Sequence, residues 1–182
     1  MLDHSALLSV SCQPLTSDLV PATVELDRQC LGGLWSSDGY QREIESPNSE
    51  LLILKTASNQ VIGLGCLWAI LDEAHITTLA IHPHHRRRKL GQFLLTRLLQ
   101  EACRRELTHA TLEVSTANQS AQMLYSRFGF KIAGRRKKYY KNGEDALILW
   151  RNYLQESAFF DQLQQLKQDC QKTFRDCQYY LM

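Results

Sequence analysis

The sequence predicts a mixed α/β fold, and three observations carry that prediction. Three β-type runs, residues 51–56, 61–71 and 74–81, follow one another across short polar turns, which makes them antiparallel neighbours. From Leu90 the apolar residues recur at steps of three and four, through Phe93, Leu94 and Leu98 and on to Cys103 and Leu107, the pattern of a helix with one buried face. A strand at 110–114, a helix at 118–128 and a terminal strand pair at 130–134 and 146–150 then alternate, so helices and strands share one unit.

The elements follow in order from the N-terminus. A first strand spans residues 7–12. Thr16, Ser17 and Asp18 offer cap oxygens to a helix running towards Leu31, with Pro21 early, where a missing N–H does no harm. Gly32 and Gly33 end that helix. A loop holding Leu34 and Trp35 leads to a short second helix near residues 41–44, closed by Pro47. Ser58-Asn59-Gln60 and Asp72-Glu73 are turns between the β runs, and Asn142-Gly143 is the turn of the last hairpin. No internal repeat interrupts this order. After Leu154 the composition becomes Gln-rich, and Phe160, Leu163, Leu166, Cys170, Phe174 and Cys177 mark one amphipathic helix over residues 155–178. The expected division is a domain at 1–154 and a helical tail at 155–182. The tail's apolar stripe would suit packing on the domain, self-association or docking of a partner.

Length and composition narrow the function classes. A chain of 182 residues fits one domain with a substantial core, and 44% apolar with 22% charged residues is ordinary for a globular protein. The net charge of +2 conceals two basic clusters, Arg86-Arg87-Arg88-Lys89 and Arg135-Arg136-Lys137-Lys138 with Lys141. No apolar stretch is long enough to span a bilayer, and the N-terminus lacks a basic start before an apolar run, so neither membrane nor export is expected. Six cysteines without a CxxC or Cys/His spacing fit a reducing cytoplasm and no metal site; His75, His82, His84 and His85 likewise lack a ligand pattern.

Two constellations carry chemistry. In the first, a strand ends at His82-Pro83, a basic loop follows, and a helix begins near Leu90. The first amides of a helix have no internal partner and the dipole there favours an anion, so a pyrophosphate fits on backbone donors beside Gly91. The same four basic residues would also suit a solvated turn or a nucleic acid backbone. In the second, Glu113 alternates with Leu112 and Val114 on a strand, and Tyr125 follows on the next helix. A carboxylate and a phenol converging at one cleft would supply the base and the proton donor that acyl transfer to an amine needs. A surface glutamate and a core tyrosine would read the same way.

The string from Thr78 to Phe130 resembles the acetyl-coenzyme A core of the GNAT acetyltransferases, most of all the bacterial ribosomal-protein-alanine N-acetyltransferases of the RimI type. The resemblance rests on Leu79-Ala80-Ile81-His82-Pro83, Arg86-Arg87-Arg88-Lys89-Leu90-Gly91, Leu112-Glu113-Val114, Asn118, Leu124-Tyr125 and Phe128-Gly129-Phe130, with Tyr139-Tyr140 and Gly143-Glu144-Asp145-Ala146 beyond. It covers roughly residues 5–152 and not the tail. It implies the GNAT fold, a mixed central sheet that is mostly antiparallel with a splayed parallel pair and helices on both faces. It implies that the backbone of Leu79, Ala80 and Ile81 pairs with the pantetheine arm of acetyl-coenzyme A. The loop of Arg86, Arg87, Arg88, Lys89, Leu90, Gly91 and Gln92 would hold the pyrophosphate, and Asn118 would contact the coenzyme. Glu113 matches the family's general base and Tyr125 its general acid, with direct transfer in a ternary complex and no acyl-cysteine. Lys89 departs from the pattern, since it stands where the family loop usually has its first glycine. It must adopt a negative φ or tolerate the left-handed conformation.

The resemblance also places Trp35 at the acceptor cleft, and Tyr139 and Tyr140 are candidates for its other wall. Each of the three would equally suit core or strand packing. The expected acceptor is the N-terminus of a protein, an alanine of a small-subunit ribosomal protein. No nucleic acid partner is expected beyond incidental ribosome contact through the run 135–138. The competing readings are a GNAT acting on a small amine or a lysine side chain, and a non-catalytic module binding coenzyme A or nucleic acid.

Overall fold

The computed structural model describes residues 8–176 and 179–181. Eight strands form one sheet: β1 (Leu8–Pro14), β2 (Ser49–Thr56), β3 (Val61–Ile70), β4 (Glu73–Ile81), β5 (His109–Ser115), β6 (Lys131–Arg136), β7 (Ala146–Arg151) and β8 (Tyr179–Leu181). Among the described residues five α-helices accompany them: α1 (Val20–Leu31), α2 (Ser37–Glu45), α3 (Leu90–Arg104), α4 (Gln119–Arg127) and α5 (Ser157–Asp176). The spatial order is β6-β7-β5-β4-β3-β2-β1-β8. All neighbours are antiparallel except β4 with β5 and β1 with β8. The turns of two or a few residues between β2, β3 and β4 force antiparallel hairpins, whereas the return from β4 to a parallel β5 needs a crossover, which α3 supplies.

Two local features shape the middle of the sheet. β4 and β5 pair only through Glu73–His75 against His109–Thr111. Beyond that point each strand keeps its outer partner, β3 and β7 respectively, and the two part. The second feature is an irregularity between Cys66 and Leu67 of β3. Leu67 pairs with Ile76 and Cys66 with Thr78, so Thr77 is an extra residue in β4. One extra residue reverses the alternation beyond it. Ala74 and Ile76 therefore enter the core before the bulge, while Leu79 and Ile81 pack against it afterwards.

Each face of the sheet has its own core. One holds the apolar sides of α3 and α5 with Tyr125 and Phe128. The other joins Leu26, Tyr40, Ile53 and Leu64 under α1 and α2. α3 lies so close to β3 that a Cβ on Gly65 would stand 2.9 Å from Leu98 Cδ1 and 3.1 Å from Leu94 Cγ.

Three sequence expectations need correction. No side chain of Thr16, Ser17 or Asp18 caps α1; a 3-10 turn over Ser17–Leu19 leads in instead. The second helix is longer than residues 41–44, because Ser36 caps it by accepting from the Gly39 amide. In the tail, Phe159 faces the core at 1% exposure whereas Phe160 is 40% exposed, so the stripe runs Phe159, Leu163, Leu166, Cys170, Phe174. Cys177 lies outside the described residues. Burying Phe159, Leu163 and Phe174 contributes about 1.5–3 kcal/mol each, enough to dock an otherwise polar helix.

The Gly65→Ala variant is expected to lose about 1–3 kcal/mol, since the new methyl must displace Leu98 or Leu94 in a filled core. Denaturant unfolding measures this; an unchanged midpoint would mean that α3 sits further from β3 than described.

Candidate active site

The site begins where β4 and β5 part. On the sheet face towards α1 and α2, side chains form a continuous row. The Trp35 ring stacks on Trp68 at 6.2 Å between centroids, and Trp68 lies 6.4 Å from His75. His75 Nε2 lies 3.4 Å from the Glu113 carboxylate, whose other oxygen accepts Arg136 at 3.2 Å. The Arg136 guanidinium lies over the Tyr139 ring at 5.4 Å, and Tyr139 meets Tyr140 edge-on at 5.2 Å. The row exists because Trp68, His75 and Thr111 are register partners on adjacent strands, and Glu113 is two residues beyond Thr111 on the same face. His75 is oriented from its other nitrogen, 2.9 Å from Thr111 Oγ1 and 3.5 Å from Glu73. The Glu113 side chain is left 12% exposed, between a cation and an imidazole.

Tyr125 comes from α4. Its ring is buried against Phe130, with centroids 5.8 Å apart. Burial pushes its phenol well above the ordinary tyrosine range, and the neighbouring Tyr140 adds to this. The group therefore stays protonated at neutral pH. Tyr140 is also raised, first by burial, then by Tyr139, Glu113 and Glu144. The Ser115 hydroxyl donates to Glu144 and the Thr116 amide to the Asp145 carbonyl, which fixes the hairpin carrying Tyr139 and Tyr140 onto the end of β5.

The α3 entrance closes the cleft at the end of β4. Arg87 and Lys89 are left-handed, at φ 65° and 56°, with Arg88 between them. Alternating handedness turns successive amides towards one side, an anion-binding nest. The first intrahelical bond runs from the Phe93 amide to the Lys89 carbonyl, so the amides of Leu90, Gly91 and Gln92 precede the helical ladder. Gly91 sits between β4 and α4, since a Cβ there would lie 3.7 Å from both Ile81 Cγ1 and Leu124 Cδ2. These are ordinary contacts. No protein neighbour demands a glycine, and the smooth surface suits a bulky anion approaching the backbone. Two expected cofactor contacts are engaged within the protein. The Ile81 carbonyl accepts Arg86 Nε at 2.9 Å, and Asn118 Oδ1 caps α4 by accepting the Ala121 amide at 3.1 Å. The Ile81 carbonyl also accepts the Cys30 thiol at 3.7 Å, so both of its lone pairs are engaged, whereas the Asn118 amino group remains for a ligand.

Comparison with known proteins agrees with this geometry. The acetyltransferase (GNAT) family profile matches residues 20–130. The chain belongs to the GNAT acetyltransferases. A [ribosomal protein bS18]-alanine N-acetyltransferase of Salmonella typhimurium is 32% identical over 138 residues, covering 74% of this chain and 90% of that protein. The crystal structure of the ribosomal-protein-S18-alanine N-acetyltransferase from Escherichia coli superposes with a TM-score of 0.71 at 26% identity, over 79% of this chain and 94% of that one. A PaiA N-acetyltransferase of Thermoplasma acidophilum, solved in complex with coenzyme A, shares the fold at TM-score 0.66 and 18% identity, over 79% and 99% of the two chains.

In this GNAT enzyme the loop before α2 is held by a residue that the sequence reading passed over. Asp27 is fully buried on α1, and its carboxylate accepts the amides of Leu34 at 2.9 Å and Trp35 at 3.0 Å and the Tyr40 hydroxyl at 2.8 Å. Burial and this carboxylate push the Tyr40 phenol well up. Trp35 is thereby fixed at the end of the aromatic row. Sequence held one clue, an acidic residue on a helix otherwise buried at Thr23 and Leu26. His75 was read only as a failed metal ligand, and its role depends on strand register that no local pattern shows. The run 135–138 is also partly spent, with Arg135 on Asp145 and Arg136 on Glu113.

Replacing Asp27 by Ala strands two amides and a buried hydroxyl, and the loss should be about 1–3 kcal/mol of stability. Denaturant titration checks this, and an unchanged midpoint would mean that the Leu34 and Trp35 amides and the Tyr40 hydroxyl are satisfied without Asp27.

Proposed function

We propose that the cleft between β4 and β5 transfers acetyl from acetyl-coenzyme A to the N-terminal amine of a protein, by direct transfer in a ternary complex. The proposed acceptor is the alanine at the N-terminus of ribosomal protein bS18. The relatives' names support the acceptor. The observation that carries the chemistry is Glu113, held by His75 and Arg136 at the point where the strands part.

Each residue has a role in this reading. Acetyl-coenzyme A supplies an acetyl thioester. The amides of Leu90, Gly91 and Gln92, with the charges of Arg86, Arg87 and Arg88 nearby, hold its pyrophosphate, and Lys89 supplies the left-handed turn before them. The open edge of β4 at Leu79, Ala80 and Ile81 offers backbone donors and acceptors to the extended arm, and Asn118 contacts it from α4. Glu113 receives the proton of the incoming ammonium, directly or through one water, and frees the nitrogen lone pair for the thioester carbonyl. As the carbon–sulfur bond breaks, Tyr125 donates its hydroxyl hydrogen to the departing sulfur. A phenol kept neutral by burial suits that role, because an ionised one has no hydrogen to give. Trp35, Tyr139 and Tyr140 wall the acceptor side, where flat rings exclude water and grip a peptide backbone.

A coupled thiol-release assay with acetyl-coenzyme A and a peptide carrying the bS18 N-terminus tests the reading. Glu113→Gln and Tyr125→Phe should each lower kcat by about a hundredfold or more while coenzyme A binding persists. Full turnover in both variants would remove the assigned chemistry. Faster acetylation of free polyamines or lysine side chains than of the peptide would remove the assigned acceptor.

A further inference from the structure

Lys89 is a bulky residue in a conformation that favours glycine, at the hinge between the basic loop and α3. Nothing in its own segment compensates: it stands at the N-cap of α3 without a side-chain cap bond. The contacts that hold it come from 80 residues away. Lys89 Nζ donates to the Asp169 carbonyl at 3.5 Å, and Cys170 Sγ donates to the Lys89 carbonyl at 3.8 Å. One turn into α3, Gln92 Nε2 donates to the Leu166 carbonyl at 3.2 Å. Phe93 meets Phe174 edge-on at 5.5 Å. Residues 166–174 of α5 thus grip the first turn of α3 by side chain, backbone and apolar surface together. This helix lies beyond the 20–130 span of the family match.

We propose that α5 is a working part of the cofactor site: it holds Lys89 left-handed and so keeps the α3 amides facing the pyrophosphate. The proposal rests on the reading of that loop as the pyrophosphate site. A glycine at position 89 adopts the left-handed region at no steric cost and would not need a brace. With lysine there, the free loop would populate the left-handed state only part of the time, and apparent affinity falls by that fraction. The Lys89 ammonium is turned onto the Asp169 carbonyl, so the side chain serves the brace rather than the phosphates. α5 therefore acts as a positioning element, without touching substrate.

The test uses full-length protein and coenzyme A as the titrant in calorimetry. Cys170→Arg sets a bulky cation against the Lys89 ammonium at a fully buried site and should lift α5 from the loop. Its Kd for coenzyme A should weaken by about tenfold. Adding Lys89→Gly should restore the Kd to within about twofold of wild type, which a merely structural role of α5 would not permit. Cooperative thermal unfolding shows that Cys170→Arg is folded. If it is not, Cys170→Ala keeps most of the packing, and about a threefold weakening, again reversed by Lys89→Gly, is the expected result. A folded variant with wild-type affinity overturns the proposal, and so does a weakening that Lys89→Gly leaves in place. Failure of the underlying reading looks different: the wild-type chain would not bind coenzyme A, or would bind it unchanged with Gly91→Glu.

Discussion

β4 and β5 exchange backbone hydrogen bonds over three residue pairs and then part, each held to a different outer partner. Backbone donors and acceptors at the centre of a sheet are costly to leave unpaired, so such an opening persists only where something else can use them. The crossover helix α3 packs against β2, β3 and β4, and its first turn lies beside Ile81 at the end of β4 where the strands have parted. The extra residue at Thr77 reverses the alternation of β4, so that Leu79 and Ile81 pack towards α3 while Glu73 and His75 keep the opposite face. The proposed cofactor surface and the proposed acceptor surface thus both trace to one interruption in strand pairing.

The polar groups around the opening are tied down by charge. Glu113 has a cation on one oxygen and an imidazole near the other, and that imidazole is oriented by Thr111 and Glu73. Asp27 performs the equivalent service for the loop of Trp35. A carboxylate buried without partners would be strongly unfavourable, but three donors converge on this one, and the loop is set by satisfying it. Both devices hold their side chains in place within the protein itself, the preorganisation that the proposed base would need. In the proposal made above, α5 extends the same logic to the start of α3, where a left-handed lysine is braced by a helix outside the residues that the family profile matches.

Much of this was legible in the chain. The three hairpin strands, the switch of period at Leu90 and the Asn142-Gly143 turn are local patterns, and the structure contains all of them at nearly the expected places. Glu113 was recognisable as a residue facing away from Leu112 and Val114, and Gly91 as a glycine at a helix entrance. The resemblance to a family then linked these fragments and implied the splayed pair. Less legible were the boundaries of α1 and α2, where caps differ from the residues best suited to cap. The choice of Phe159 over Phe160 was also hidden, because a one-residue shift rotates a helix by about a hundred degrees while either residue satisfies the apolar count.

The amino-acid sequence alone determined the order of the elements up to α5, the apolar faces of the three hairpin strands and of α3, and the presence of a basic helix entrance, because these depend on residues three or four apart along the chain or two apart along a strand. Tertiary structure alone decided which polar groups meet. His75 reaches Glu113 only through the pairing of β4 with β5, Arg136 reaches it only through β7, and Lys89 finds its support 80 residues downstream in α5. Such contacts are set by strand register and helix docking, which minimise the free energy of the whole core and leave no signature in any short window of sequence.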